Sequence, residues 1–229
     1  MSKSGAVDDG GVLSTMYQPP QFREDRLAVQ HALIRAHPLG LLVTAGPGGL
    51  MANLVPFHLE ETPGGLGVAR AHLARANAQW REFSEGAECM VAFQGPQAYV
   101  SPSWYPTKAE TGKVVPTWNY VTVHIWGRPR LIDQAPWLRG QIDALTDARE
   151  AARPEPWRAD DAPADFIAAQ IRGVVGLELP ISRIEGKWKV SQNRNEADRR
   201  GVAQGLSADG PAAAAMADLV AAGGAGAVD

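Results

Sequence analysis

The chain has 229 residues, of which 45% are hydrophobic and 21% are charged, and its formal net charge is −3. This composition is ordinary for a folded domain with tails, and the charge argues against strong overall attraction to nucleic acid or acidic lipid, although a local basic patch is compatible with it. The single cysteine, Cys89, excludes an internal disulfide framework, and neither a secretory signal nor a membrane-spanning apolar run is found. The sequence therefore predicts a soluble cytoplasmic protein.

Three segments make up the predicted domain organisation. Residues 1–15 are small and polar, which is typical of a flexible N-terminal arm. Residues 16–206 contain all the apolar periodic segments of the main domain. Residues 207–229 are rich in alanine and end in glycines, so we expect one C-terminal helix with a frayed tail.

The first half of the chain predicts one helix followed by hairpin-linked strands. The helix lies within residues 22–40 and is expected to end at His37, because Pro38 disfavours helical backbone in the residue before it. Gly-Gly pairs between the next apolar runs indicate tight hairpin turns. Those runs are LGLLVTA, LMANLVPFHLE and LGVARAH. Pro56 inside the second run predicts an edge position or a bulge.

The second half predicts further strands and helices. Residues 119–132 alternate with period two and are apolar on both faces, so we expect a strand that is covered on both sides. Asp133 and Pro136 mark the beginning of a helix that extends to about residue 151. The other expected elements are a short helix within 73–87, strands at 88–95 and 98–104, a helix within 160–173 and a strand at 174–191.

Many short, hairpin-linked strands with a few helices predict a mainly β fold, an antiparallel barrel with peripheral helices. The strict alternation of strand and helix that is typical of Rossmann and TIM-barrel folds is not found.

The common catalytic signatures are also missing. GPGG is not followed by Gly-Lys-Ser or Gly-Lys-Thr, and neither G-x-S-x-G nor H-E-x-x-H occurs. No metal site and no basic recognition helix is predicted, and no catalytic residue is assigned. A serine–histidine–acid triad built from distant residues stays open.

The segment RAHLARANAQW is the first candidate site. It places Arg70, His72, Arg75 and Asn77 where a strand is expected to lead into a helix. Arginine forks, amide groups and the N–H groups of a helix N-terminus together suit a phosphate monoester. The alternative is a solvated loop with two surface arginines.

The segment SPSWYPTKAETGKVVPTWNY, residues 101–120, is the second candidate site. It contains Trp104, Tyr105, Trp118 and Tyr120 between prolines, lysines and a glycine. A planar conjugated ligand would gain from stacking on such rings, with Asn119 available for its polar edge. Alternatively, the rings cap the barrel or line a dimer interface, where tyrosine and tryptophan are also enriched.

The segment EGKWKVSQNR is the third candidate site. Lys187, Trp188 and Lys189 alternate along an expected strand, and Gln192 and Arg194 follow it with polar donors. The functional interpretation is a second set of contacts to a phosphate or to a ring edge. The alternative is an ordinary edge strand protected by lysines.

Several segments, in the same order, resemble the PaiB-like FMN-binding negative transcriptional regulators. They are MYQPPQFRED, HLARANAQW, SPSWY, VPTWNYVTVHIWG, KWKVSQNR and DRRGVAQGL, and they span residues 16–206. The resemblance implies an antiparallel Greek-key split β-barrel like that of pyridoxamine-phosphate oxidase. It also implies a homodimer with two FMN sites at the dimer interface.

The resemblance further implies which residues bind FMN. The first candidate site would contact the phosphate and ribityl chain, and Asn53 would lie near the polar edge of the ring. The rest would close the site, in part from the partner chain. The implied set is Asn53, Arg70, His72, Arg75, Asn77, Tyr105, Trp118, Asn119, Lys189 and Gln192.

Three functions are compatible with the sequence. The first is an FMN-binding dimer that represses genes, either by binding DNA itself or through a DNA-binding partner. The second is a flavin-dependent oxidoreductase that uses NAD(P)H, since the flavin supplies the chemistry in such proteins. The third is a cofactor-free dimeric binding protein whose aromatic segment only packs.

Overall fold

Two antiparallel sheets and a set of surrounding helices form the fold in the computed structural model, which describes residues 16–83 and 86–223. The strands are β1 (Arg23–Glu24), β2 (Leu39–Gly46), β3 (Gly49–Pro56), β4 (His58–Glu60), β5 (Val68–Ala74), β6 (Cys89–Val100), β7 (Thr117–Gly127), β8 (Arg130–Ile132), β9 (Val174–Pro180) and β10 (Arg183–Lys189). The helices are α1 (Leu27–Ala36), α2 (Thr107–Thr111), α3 (Ala135–Glu150), α4 (Ala164–Arg172), α5 (Glu196–Ala208) and α6 (Pro211–Ala221). The predicted arm 1–15 and the last six residues of the predicted tail lie outside the described residues.

The larger sheet has the strand order β1-β10-β7-β6-β2-β3, and the smaller sheet has the order β4-β5-β9-β8. Every strand pair within them is antiparallel. Three connections carry the chain directly from one sheet to the other: β3 to β4, β7 to β8, and β9 to β10. These crossings join the two sheets into a split barrel, which confirms the predicted fold class.

The crossing after β7 depends on a close approach of two backbones. A Cβ atom added to Gly127 would lie 2.3 Å from the carbonyl oxygen of Pro180, so only glycine fits there. Ser182, just beyond β9, donates its backbone N–H to the carbonyl of Trp126 at 2.9 Å. The two crossings therefore pack against each other and hold the sheets in register.

The core lies between the inner faces of the two sheets. Val121, Val123 and Ile125 of β7 are fully buried, and they belong to the same core cluster as Leu177 and Leu179 of β9. Helix α6 adds Met216, Leu219 and Val220 to this cluster. The predicted C-terminal helix is therefore part of the domain's core, while the division at residue 206 stays a prediction.

Several predicted elements are confirmed and others are wrong in a consistent way. Helix α1 ends at Ala36 with His37 as its C-cap, and Pro56 lies on an edge strand, as expected. The predicted strands at 88–95 and 98–104 are one strand, β6, with a shift in register between Gln94 and Gln97. Conversely, the predicted strand at 174–191 is two strands in different sheets. Pattern alone did not reveal where the chain changes sheet.

The segment between β6 and β7 packs mainly on the protein itself. Tyr105 is 2% exposed, and Trp104 packs against helix α5. A Cβ atom added to Gly201 would lie 2.1 Å from the backbone oxygen of Trp104, and one added to Gly205 would lie 2.3 Å from its ring. Trp104 and Tyr105 thus pack against the protein itself, as the capping interpretation expects, while their part in a ligand site stays a prediction. Trp118, in contrast, is 48% exposed.

The close contact at α5 predicts opposite effects for two helical glycines. Gly201→Ala is expected to lower the free energy of unfolding by about 1–3 kcal/mol, because the added methyl meets a backbone atom that cannot move aside. Gly140→Ala in α3 is expected to raise it by up to about 1 kcal/mol, because nothing lies within 4 Å of the added atom and alanine favours helix. Urea unfolding measures both, and a stabilising Gly201→Ala would contradict the contact.

Candidate ligand-binding site

The outer face of the larger sheet carries an exposed apolar surface on β2 and β3. Strand alternation turns every second residue outward, and the outward residues of both strands pair with one another. Leu39, Leu50 and Leu54 are 54%, 82% and 62% exposed. We call this surface the apolar face; it consists of Leu39, Leu41, Val43, Ala45, Leu50, Ala52, Leu54 and Pro56. No polar side chain interrupts it, which is unusual for a surface that stays in water.

An exposed pair of aromatic rings lies on the same side of the sheet. Tyr99 of β6 and Trp118 of β7 are register partners, 45% and 48% exposed. Their ring centroids are 5.9 Å apart at an interplanar angle of 65°. Gln97 accepts a hydrogen bond from Trp118 Nε1 and thereby fixes the indole. The pair offers an oriented aromatic surface to a ligand.

Three basic side chains lie along β10 and in the turn after it. We call Lys187, Lys189 and Arg194 the basic row; within the described residues none of them forms an ion pair with a carboxylate. Lys189 Nζ donates to Thr117 Oγ1 and, at 2.7 Å, to the carbonyl of Trp118. Burial, and then the charges of Lys187 and Arg194, lower the pKa of Lys189. An anionic ligand would relieve this repulsion.

The turn after β10 has a fixed shape. Ser191 has a φ of 67°, which is rare for a residue other than glycine, and its Oγ accepts a hydrogen bond from Asn119 Nδ2 at 2.9 Å. Gln192 accepts from the backbone N–H of Val190 at 2.8 Å and donates to the carbonyl of Trp188. Asn119 and Gln192 therefore hold the turn that leads to Arg194.

The ring of Tyr105 packs against the guanidinium of Arg194. The guanidinium carbon of Arg194 lies 4.8 Å from the centre of the Tyr105 ring, a cation–π distance. Burial raises the pKa of Tyr105, against the lowering effect of Arg194. Because the ring is almost fully buried, Tyr105 is placed to orient Arg194 and does not face a ligand in this chain.

Asn53 and Asn77 belong to a second group, centred on Gln79. Asn53 Nδ2 donates to Gln79 Oε1 at 2.9 Å, and Asn77 Oδ1 accepts from the backbone N–H of Gln79 at 3.0 Å. Gln79 is fully buried and also donates to the carbonyl of Leu42 at 3.0 Å. This group ties β2 and β3 to the 3-10 helix Ala78–Phe83, the element found where a short helix was predicted.

Arg70 and His72 form a third group, under helix α3. Arg70 pairs with Glu60 and, at 3.2 Å, with Glu178, and it lies 5.9 Å from the centre of the Trp137 ring. His72 Nδ1 lies 2.7 Å from Gln141 Oε1. These side chains are engaged within the chain, because the outer face of the smaller sheet is covered by a helix.

Arg75 lies at the end of β5 and is engaged in a similar way. Its Nη2 lies 2.7 Å from Asp133 Oδ1, and its Nε donates to the carbonyl of Arg172 at 2.9 Å. The ion pair is solvent-exposed, so it is weak and open to exchange for another anion. Arg75 is therefore more accessible to a ligand than Arg70.

Within one chain, the predicted residues thus fall into separate places. The structure brings together Trp118, Asn119, Lys189, Gln192 and, through Arg194, Tyr105. Tyr99 and Gln97 belong with this group but were missed by the sequence prediction. Period-two alternation in β6 was the signal that could have identified them, had the cross-strand register with Trp118 been known.

His124 lies on the same outer face, beside the basic row. Its ring packs edge-on against Trp126, with centroids 5.8 Å apart, and it has no hydrogen-bond partner among the described residues. Burial, and then the charge of Lys187, lower its pKa. His124 is therefore held in its neutral form at neutral pH, with its ring nitrogens free to bond to a ligand.

Metal and thiol chemistry find no support in the described part of the chain. No group of three or more histidine, cysteine, aspartate or glutamate side chains is placed there to hold a metal ion. Cys89 is buried, and burial raises the pKa of its thiol to about 12. None of the described helices is long and apolar enough to span a membrane.

A split barrel with exposed rings and lysines on the outer face of its larger sheet offers a surface that suits a planar, anionic ligand. The family described as "Putative FMN-binding domain" matches residues 16–183. The chain is 30% identical over 206 residues to the protease synthase and sporulation protein PAI 2 of Bacillus subtilis, covering 90% of this chain and 96% of that protein. It therefore belongs to the PaiB-like FMN-binding family, and FMN, the predicted cofactor, is confirmed as the cofactor of its family.

Other comparisons agree with this assignment. The protein AN0679 of Emericella nidulans is 33% identical over 226 residues, covering 83% of this chain and 90% of that protein. The solved structure of the flavocytochrome Anf3 from Azotobacter vinelandii has a TM-score of 0.55 at 15% identity, covering 73% of this chain and 69% of that one. An FAD and heme binding protein from Mycobacterium smegmatis has a TM-score of 0.51 at 19% identity, covering 72% and 71%. At these identities the two structures support the fold alone.

The effect of the Lys187 charge on the His124 pKa predicts a measurable coupling. In Lys187→Met, the pKa of His124 is expected to rise because a nearby positive charge is removed, yet to stay below its ordinary value because burial remains. Titration of the histidine ring signals by NMR measures this change. Lys108→Met, which removes an exposed charge from helix α2, is the control and should leave the His124 pKa unchanged. An unchanged pKa in Lys187→Met would contradict the coupling.

Proposed function

We propose that the protein is a homodimer that binds FMN on the outer face of its larger sheet and acts as a PaiB-like negative regulator of transcription. The observation that carries this proposal is that the apolar face, the aromatic pair and the two lysines of the basic row share one side of one sheet, with Arg194 in the turn that follows β10. Strand β6 lies between β2, which carries part of the apolar face, and β7, which carries Trp118 and pairs with β10. A cytoplasmic location is part of the proposal, in keeping with the single reduced cysteine.

The apolar face supports a second copy of this chain as the partner. Eight apolar residues in two paired strands leave a surface that costs free energy in water and gains it when covered. A two-fold dimer uses the same patch on both chains, so a face that is apolar throughout is complementary to itself. It would also bring the aromatic pair and the basic row of each chain to the edge of the interface.

The chemistry of these groups fits FMN. The aromatic pair suits an isoalloxazine ring, while Lys189 and Arg194 suit a phosphate because no carboxylate neutralises them. In this proposal Asn119 and Gln192 shape the turn, and Tyr105 orients Arg194. Once bound, FMN supplies hydride-transfer chemistry that the side chains do not.

The second group of predicted residues is proposed to complete the site from the same or the partner chain. Asn53 and Asn77 are held by Gln79 and are candidates for the polar edge and the ribityl chain. Arg75 is a candidate for the phosphate, since its pair with Asp133 is exposed. Arg70 and His72 are proposed to act indirectly, by positioning β5 against α3.

A flavin-dependent oxidoreductase is the second candidate function, and His124 is the observation that favours it. A neutral, unpartnered imidazole beside Lys187 is suited to hold a polar substrate atom on the outer face. The two functions differ in what can be measured. An oxidoreductase oxidises NAD(P)H in the presence of FMN, whereas a regulator retains specific DNA, directly or with a partner, in a salt-sensitive manner.

FMN binding tests the site directly. The wild-type protein is expected to keep bound flavin, seen by visible absorbance, after FMN is added and free FMN is removed by gel filtration. Lys189→Met is expected to weaken FMN binding about tenfold or more, because a charge-assisted contact to phosphate is lost. Lys108→Met is the matched control and should bind as the wild type does. Equal affinity in Lys189→Met would remove Lys189 from the site, and a wild-type protein that refuses FMN would leave the cofactor-free alternative.

Assembly tests the apolar face. Leu54→Asp is expected to shift the protein from dimer to monomer, with a dissociation constant at least about 100-fold higher, because the interface would bury an unpaired carboxylate. Phe166→Asp replaces a similarly exposed apolar residue, 54% exposed, on α4 and should leave the dimer intact. Light scattering after size-exclusion chromatography measures both. A dimeric Leu54→Asp protein would place the interface elsewhere.

A further inference from the structure

A narrow cleft of about 240 Å³ opens between the C-terminal ends of α1 and α3 and strand β4. It lies against the smaller sheet, whereas the proposed FMN site lies on the outer face of the larger sheet. Phe57, Leu59 and Leu145 form its apolar part. Phe57 and Leu59 are almost fully buried and belong to the core, so this wall of the cleft is rigid.

Every polar side chain that lines the cleft is basic. These side chains are Arg35, His58 and Arg149, and no carboxylate lines it. Arg35 pairs with Glu61, which lies outside the cleft. Arg149 forms a single hydrogen bond, from Nη2 to the carbonyl of Arg35 at 2.9 Å, and has no carboxylate partner among the described residues. Most of its N–H groups are therefore available to a ligand.

The hydrogen bond from Arg149 also offsets the partial negative charge at the end of helix α1. α1 and α3 both end near the cleft, and the carbonyl end of a helix repels anions. The guanidinium of Arg149 caps one of these terminal carbonyls and offsets the partial negative charge with a full positive one. The lining of the cleft therefore keeps the cationic groups of Arg35 and Arg149 without a carboxylate among its own side chains.

His58 lines the same cleft. It has no hydrogen-bond partner among the described residues, and its pKa is lowered by burial and by the charges of Arg70, Arg35 and Arg149, with Glu60 opposing them. The imidazole is thus neutral at neutral pH and can donate one hydrogen bond. A bound anion would add to the effect of Glu60 and raise this pKa.

We infer that this cleft binds a small monocarboxylic acid with a compact apolar body. The carboxylate would bind Arg149 and His58, and the body would lie against Phe57 and Leu145. The volume is below the ~300–1,000 Å³ that is typical of pockets for drug-sized ligands, so the ligand is small. The inference does not depend on FMN binding or on the dimer.

Benzoate is a suitable probe, tested on the full-length protein by calorimetry and by NMR of the histidine rings. Benzoate is expected to bind and to raise the pKa of His58. Benzamide, which has the same body without the charge, is expected to bind about tenfold more weakly or worse, because the charge-assisted contacts are lost. Inorganic phosphate, which has charge without an apolar body, is also expected to bind at least tenfold more weakly. No binding of benzoate, or equal binding of either comparison compound, would overturn the inference.

Two variants locate the binding. Arg149→Gln keeps a donor for the Arg35 carbonyl but removes the charge, and it should weaken benzoate binding about tenfold or more. Ala148→Phe adds a ring at an exposed position of the lining and should block the cleft while both arginines remain. Arg128→Gln, an exposed change of the same charge elsewhere, is the control. Wild-type benzoate affinity in Ala148→Phe would overturn the inference even if Arg149→Gln failed to fold, and FMN binding should be unchanged in every variant.

Discussion

The structure depends on the alternation of side chains across the larger sheet. Val121, Val123 and Ile125 fill the core between the sheets with no exposed surface, and this fixes the opposite direction for the residues between them. Trp118, Tyr120 and His124 must then face outward. The candidate site is thus placed by the packing of the residues that are not in it, and a slip of one residue in register would bury the site and expose the core.

Whether a basic side chain serves packing or is available to a ligand depends on whether a carboxylate lies close to it. Arg70 has two carboxylate partners and a helix over it, so it serves the packing of the smaller sheet. Lys189 and Arg194 have no carboxylate partner within residues 16–83 and 86–223. The same residue types therefore have different roles. The charge that matters for a ligand is the charge left over after the protein's own ion pairs are formed.

Much of the fold could be predicted from the sequence because it depends on local signals. The proline after His37 ends α1, and the glycines between apolar runs mark the hairpins of β2 to β5. The exchange of strands between sheets was not accessible. Residues 174–191 show one apolar pattern, and the change of sheet follows from contacts with Gly67 and Trp126, which are distant in sequence. The family resemblance supplied what local pattern could not: the split barrel and the cofactor.

The candidate site was accessible only in part, for a related reason. Trp118 and Lys189 stand out as residue types in unusual places, so they could be named. Tyr99 could not, because its importance comes from the register of β6 with β7 beyond a bulge. The engagement of Arg70 with Glu178 is a contact across 108 positions, which the sequence does not show.

The burial of Cys89 gives the protein an internal reporter of its own opening. The thiol lies at the first residue of β6, is 2% exposed, and is ionised only at a pH that most buffers never reach. A thiol reagent can therefore react with it only when the chain opens locally around the start of β6. As the chain contains one cysteine, the rate of labelling records a single event. The rate of this local opening can thus be measured without introducing another cysteine into the protein.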